Sequence, residues 1–138
     1  MRKYIIATHA HMAYGMNTTL NMLIGEQENL TVINAYTDEC KDPLPEFEKI
    51  VEENPDDDIV IMTDLFGGSV NNNAILMTKN ERVHVVTGIN LAVVVSIVMS
   101  DSSTPTKQVI EEAVSGAKDM IIYCNELVAN SDDEDDSF

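Results

Sequence analysis

Basic residues are scarce in this 138-residue chain: eight Lys and Arg stand against 24 Asp and Glu, a formal charge of −16. A field of that sign repels phosphate backbones and anionic lipid, which excludes nucleic acid and direct membrane attachment as partners. Cysteine is scarce too. Cys40 and Cys124 lie far apart with no C-x-x-C spacing, so free thiols in a reducing compartment are expected and a disulfide framework is excluded. No basic-apolar-small leader pattern opens the sequence, and its apolar runs are far too short to span a bilayer. A soluble cytoplasmic protein is therefore expected. Internal repeats are lacking as well, and the length suits one domain that buries roughly two-thirds of its unfolded-chain surface.

Five of the acids fall in the last eight residues. Most of the acidic excess thus belongs to the body of the chain. The like-charged end reads as a disordered, solubilising tail from about Asn125, leaving a domain over residues 1–124. Within that domain four short apolar runs recur: Tyr4 to Ala7, Leu30 to Ala35, Ile59 to Met62 and Val83 to Val86. They are β-branched and nearly continuous, as strands covered on both faces must be, which predicts a parallel sheet. Helical patterns separate them: "MNTTLNMLIG" stopped by Gly25, "LPEFEKIVEEN", and "SVNNNAILMTK" with Ser69 as its cap. Two more follow, "NLAVVVSIVMSD" and "TPTKQVIEEAVSG", the second opened by Thr104-Pro105 and closed by Gly116. The order predicts an α/β fold, an open doubly wound parallel four-stranded sheet flanked by helices with right-handed crossovers. A last run, Asp119 to Cys124, is strand-like but follows two consecutive helices, and pattern alone does not place it.

In such sheets chemistry gathers beyond the carboxyl ends of the strands, where the winding reverses. The residues just after the first and third runs include His9 and Asp64. After Asp64, Gly67 and Gly68 permit a tight turn and Ser69 opens a helix. Free N–H groups at the positive end of that helix dipole suit a phosphoryl group or another small anion. The dipole itself contributes only roughly 0.3–1 kcal/mol at an exposed site, so it positions an anion without driving chemistry. A neutral imidazole supplies the reactivity, because a carboxylate that accepts Nδ1–H leaves Nε2 free as a nucleophile. The residues therefore suggest His9 as nucleophile, Asp64 as its orienting partner, and Gly67, Gly68 and Ser69 as the phosphoryl cradle. The His9-Ala10-His11 spacing could offer two metal ligands, but no third stands at a recognisable motif distance. His84, inside the fourth run, reads as a packing or surface residue. Phosphorylation of Asp64 in a receiver-like domain would call for acids after the first strand, where His9 and His11 stand instead. No G-x-G-x-x-G follows that strand to hold a dinucleotide.

The segments "IIATHAHMAYG", "LNMLIGEQENLTVIN", "VIMTDLFGGSVNNNA" and "VVTGINLAVVVSIV", in this order and spacing, are similar to the mannose-family enzyme IIA component of the bacterial phosphoenolpyruvate-dependent sugar phosphotransferase system. The resemblance spans residues 1 to about 124. It implies a phosphohistidine carrier without metal or cofactor, in which His9 accepts a phosphoryl group from HPr and passes it to a separate enzyme IIB component. It implies the same roles for Asp64 and the turn through Ser69, and contact with the membrane only through the transporter complex. It also implies a homodimer in which a C-terminal strand, here Asp119 to Cys124, crosses over and pairs antiparallel. Related domains serve a dihydroxyacetone kinase or a regulatory pathway, which is the alternative use. The chain departs from the family at Ala10, where glycine is frequent, and at Ala92, where proline is.

Overall fold

Every backbone group of a strand buried on both faces needs a neighbour, and the central runs of this chain find theirs in one another. The computed structural model describes residues 1–131. Its elements are β1 (Arg2–His9), α1 (Met12–Ile24), β2 (Leu30–Ala35), α2 (Pro43–Glu53), β3 (Asp58–Thr63), α3 (Ser69–Leu76), a 3-10 turn (Met77–Lys79), β4 (Val83–Val86), α4 (Leu91–Val98), α5 (Thr106–Asp119) and α6 (Cys124–Ser131). All strand pairings among the described residues are parallel and the sheet order is β2-β1-β3-β4. The expected doubly wound α/β sheet is the observed one.

Alternation along each strand sends neighbouring side chains to opposite faces. Tyr4, Ile6, Val60, Met62 and Val86 join Ala13, Leu20, Val94, Ile97 and Ala113 in one core, beneath α1, α4 and α5. Ile5, Ala7, Ile33, Ile59, Ile61 and Val83 join Phe47, Val51, Val70 and Ala74 in the other, beneath α2 and α3. Each fully buried aliphatic or aromatic side chain stabilises the fold by roughly 1.5–3 kcal/mol. The chain leaves β1 for β2 in one direction and then steps from β3 to β4 in the other. The winding therefore reverses between β1 and β3.

Arg2 locks the opposite end of the sheet. Its buried guanidinium donates to Thr106 Oγ1 at 2.9 Å, Ser100 Oγ at 3.2 Å, the Asp101 carbonyl at 3.1 Å and the Thr104 carbonyl. Thr106 Oγ1 in turn donates to the Asp58 carboxylate, tying the start of α5 to the start of β3. Two Ser103 hydrogen bonds, from its backbone N–H and its hydroxyl, hold the Asp101 carboxyl below the ordinary carboxylate range.

Three local readings are corrected, at Ser69, at the end of α5 and at the start of the tail. Ser69 is the first helical residue of α3, and Gly68 occupies the cap position. α5 runs through Gly116 to Asp119, because Val109, Ala113 and Ala117 keep one face packed past the glycine. The run from Asp119 to Cys124 forms no strand within the described chain: Asp119 closes α5, Ile121–Tyr123 are irregular and exposed, and Cys124 opens α6. The edge expected to receive these residues is that of a second copy, and none of the three pairs with an edge of its own sheet. α6 likewise occupies residues 124–131, where an unstructured tail was expected to start at Asn125. The acidic residues 132–136 lie outside the described residues.

The turn from β1 into α1 is fastened by side chains of the strands beneath it. Thr8 Oγ1 accepts from the Ala13 N–H at 2.8 Å and Asn34 Oδ1 from the Tyr14 N–H at 3.2 Å, so two orphan donors of α1 are satisfied. The Ala10 N–H bonds the Ala35 carbonyl at 3.0 Å. Ala10 thereby takes φ 53°, a left-handed conformation. That conformation costs an L-residue roughly 1–2 kcal/mol, against about 0.5–1 kcal/mol of extra chain entropy for glycine. We expect Ala10→Gly to raise the free energy of unfolding by about 0.5 kcal/mol; urea denaturation checks this, and a drop in stability would mean that the turn tolerates alanine without strain.

Candidate functional site

Ala7 lies opposite Thr63 in the β1–β3 pair, and His9 lies opposite Ala35 in the β1–β2 pair. His9, Asp64 and Tyr36 therefore stand together at the carboxyl edge, each at or just beyond the end of a neighbouring strand. His9 ends β1 and is the only residue of the three still within its strand.

Asp64 Oδ2 accepts twice from His9, from the backbone N–H at 2.9 Å and from Nδ1 at 3.0 Å. The first bond fixes the residue and the second fixes the ring. A carboxylate only accepts, so in the neutral ring Nδ1 carries the hydrogen and Nε2 keeps its lone pair. The His9 side chain is 43% exposed and that of Asp64 14%. The nucleophilic nitrogen thus belongs to a ring open to an incoming group, while the carboxylate behind it is shielded. Asp64 Oδ1 is buried and has no hydrogen-bond partner among the described residues. All the orienting work falls on Oδ2.

The turn after β3 closes round the ring from the other side. Gly67 has φ 79°, and Gly68 approaches His9 so nearly that a Cβ on it would lie 3.3 Å from His9 Cε1 and 3.2 Å from the Leu65 carbonyl oxygen. Cε1 lies between the two ring nitrogens, so the start of α3 borders the imidazole at the carbon that joins them. Asn71, buried in α3, accepts from Thr63 Oγ1 at 2.9 Å and clamps the helix to β3. The Gly68 N–H is spent on the Leu65 carbonyl at 3.1 Å, so the donors left for an anion come from the first turn of α3, beginning at Ser69.

Of the five residues singled out from sequence, the structure brings His9, Asp64 and Gly68 into direct neighbourhood, with Gly67 shaping the turn and Ser69 leading the helix. His11 is separate: it caps α1, is exposed, and makes no side-chain capping bond. Among the described residues no group of three or more His, Cys, Asp or Glu side chains could hold a metal ion. Tyr36 was missed. Its ring centroid is 5.5 Å from that of His9, at an interplanar angle of 43°, and its hydroxyl donates to Ser69 Oγ at 2.7 Å. The signal was available: Tyr36 directly follows the second apolar run, as His9 and Asp64 sit at the ends of the first and third. Leu65 and Phe66 stand exposed beside the turn.

A family model for the PTS system fructose IIA component matches residues 3–114. A Klebsiella pneumoniae structure, described as a candidate phosphoenolpyruvate-dependent sugar phosphotransferase system permease, is 31% identical with a TM-score of 0.85, over 92% of this chain and 93% of that one. The PTS IIA protein associated with the fucose utilization operon of Streptococcus pneumoniae is 26% identical with a TM-score of 0.78, over 92% and 96%. The mannose/sorbose specific IIA subunit from Enterococcus faecalis, 20% identical with a TM-score of 0.76 over 88% and 92%, shares the fold. No helix among the described residues is long and apolar enough to cross a membrane.

The tight approach of Gly68 is open to test. Gly68→Ala should displace the imidazole and weaken its bond to Asp64, which ¹⁵N chemical shifts of the His9 ring nitrogens will report; shifts identical to those of the native chain would mean that the ring has room to spare.

Proposed function

The chain belongs to the mannose-type enzyme IIA family of the sugar phosphotransferase system, and from that premise we propose that it carries a phosphoryl group on His9 Nε2 from HPr to a separate enzyme IIB component. The single observation that carries this reading is the His9 Nδ1 to Asp64 Oδ2 bond of 3.0 Å on a half-exposed ring. It presets the tautomer in which Nε2 can attack.

The step balances without a metal or cofactor. The lone pair of His9 Nε2 forms a bond to phosphorus while the P–N bond of the donor phosphohistidine breaks, and that electron pair returns to the donor ring. A donor protonated on its other nitrogen leaves as neutral imidazole. His9 becomes a phosphorylated imidazolium that keeps its proton on Nδ1, against the Asp64 carboxylate. Positive charge thus develops where a fixed negative group already waits, the arrangement that lowers a barrier without reorganisation. The reverse movement of electrons hands the group to a histidine of the IIB component. The first turn of α3 holds the phosphoryl oxygens, and the acidic body favours basic faces on both partners.

The decisive measurement is intact mass after incubation with phosphoenolpyruvate, enzyme I and HPr. One acid-labile phosphoryl adduct is expected on the native chain and on His11→Ala, and none on His9→Ala; an adduct that persists in His9→Ala would sink the assignment. Asp64→Ala should fold and slow transfer by about 10- to 100-fold, as loss of a charge-assisted hydrogen bond implies.

A homodimer is part of the same reading. Ile121, Ile122 and Tyr123 are exposed beyond α5, and β4 is an edge strand of the sheet among the described residues. The segment from a second copy would cover that edge. Sedimentation equilibrium should give twice the chain mass, reduced towards the monomer in Ile121→Asp; a native monomer at micromolar concentration would remove the exchange.

A further inference from the structure

Tyr36 has a conformation that an aromatic residue seldom adopts. Its φ is 62°, in the left-handed region, where a bulky side chain is under strain. The chain holds it there. The Tyr36 N–H bonds the Cys40 carbonyl at 2.8 Å, the Thr37 N–H reaches the same carbonyl at 3.3 Å, and Thr37 Oγ1 donates to the Asn34 carbonyl at 2.7 Å. Burial pushes the Cys40 thiol up from its ordinary value, with the Glu46 charge adding to the rise, so Cys40 serves this turn as a neutral residue through its backbone. Strain of this kind persists where surrounding structure over-determines it, and it collects at functional sites.

Packing does not account for the residue. Tyr36 is 48% exposed, and a phenylalanine would fill the same space. What the conformation achieves is a bridge: the ring lies against the His9 imidazole while the hydroxyl reaches Ser69 Oγ on α3. A serine hydroxyl has two lone pairs and one hydrogen. Tyr36 fills one lone pair, and among the described residues Ser69 Oγ donates to no protein acceptor. Ser69 directly follows Gly68, the residue packed against His9 Cε1. The unspent hydrogen of Ser69 therefore belongs to the turn that borders the His9 ring at Cε1, next to Nε2.

We infer that Tyr36 is a positioning residue for phosphoryl transfer: by donating to Ser69 Oγ and bracing the imidazole, it fixes the serine hydroxyl as a donor to the phosphoryl oxygens on His9. The inference rests on the carrier reading and adds to it. The Tyr36 O–H polarises the Ser69 O–H that follows it in the chain of hydrogen bonds, and such chains strengthen each member. The serine gains a set direction before the phosphoryl group arrives, so less ordering remains to be done at transfer.

A double-mutant cycle separates this role from simple support of the loop. Transfer from phosphorylated HPr to the full chain is followed by rapid quench and intact mass for the native protein, Tyr36→Phe, Ser69→Ala and the double variant, with the ³¹P resonance of each phosphorylated form. Tyr36→Phe keeps the ring, and circular dichroism confirms the fold of each variant. Ser69→Ala should slow transfer about tenfold, the loss of one hydrogen bond to a charged group, and Tyr36→Phe about fivefold, the loss of the neutral bond that orients it. The double variant should be no slower than Ser69→Ala alone, and the ³¹P resonance should move in the same sense in both single variants. Additive losses, or a native rate and resonance in Tyr36→Phe, would overturn the inference while leaving His9 as carrier. A native chain that accepts no phosphoryl group from active HPr would overturn the carrier reading, and this inference with it.

Discussion

The parallel pairing of β1 with β3 sets Ala7 opposite Thr63 and so delivers the residues that follow, His9 and Asp64, to one edge of the sheet. A shift of one residue in that register would turn every side chain of a strand to the other face. It would also bury the wrong half of β1, where Ile5 and Ile6 serve two different cores. The packing that stabilises the fold and the alignment that makes the site are therefore the same constraint. This is why a shielded carboxylate can meet a half-exposed imidazole at 3.0 Å without any additional device.

The edge around that pair contains the strained and tightly approached positions of the chain. Among the described residues, Ala10 and Tyr36 are the two non-glycine positions with positive φ, one beyond β1 and one beyond β2. Gly68 closes the third side at a distance that excludes a side chain. At the other end, Arg2 gathers the starts of β1 and β3, the loop after α4 and the start of α5 into one network of hydrogen bonds. Rigidity at the base and strain at the carboxyl edge agree with a fold that stabilises one end and reserves the other for chemistry.

Much of this was legible in residue order. Near-continuous β-branched runs separated by helical patterns specify a parallel sheet covered on both faces, and His9 and Asp64 stand at the ends of two such runs. Tyr36 was not singled out, although it occupies the same kind of position, because an aromatic after a strand carries no chemical signature until its hydroxyl has a partner. The run through Ile121 and Ile122 could not be placed from pattern for a related reason. Its composition suits a strand, but a strand also needs an edge to pair with, and pairing is a property of the surroundings.

The sequence by itself determined the element order through α5, the covering of the strands on both faces, the acidic balance and the presence of an imidazole, a carboxylate and a Gly-Gly-Ser turn at element ends. These follow from local pattern, because burial on both faces and helix periodicity are written in consecutive residues. Only the tertiary structure decided that Asp64 Oδ2 bonds Nδ1 of His9 and not another group, that Gly68 lies against Cε1, that Tyr36 joins His9 to Ser69, and that His11 stays apart. Those are contacts between residues from 27 to 59 positions apart or between side chains of unlike direction on one short turn. Strand register and backbone angles fix such contacts, and no local pattern encodes them.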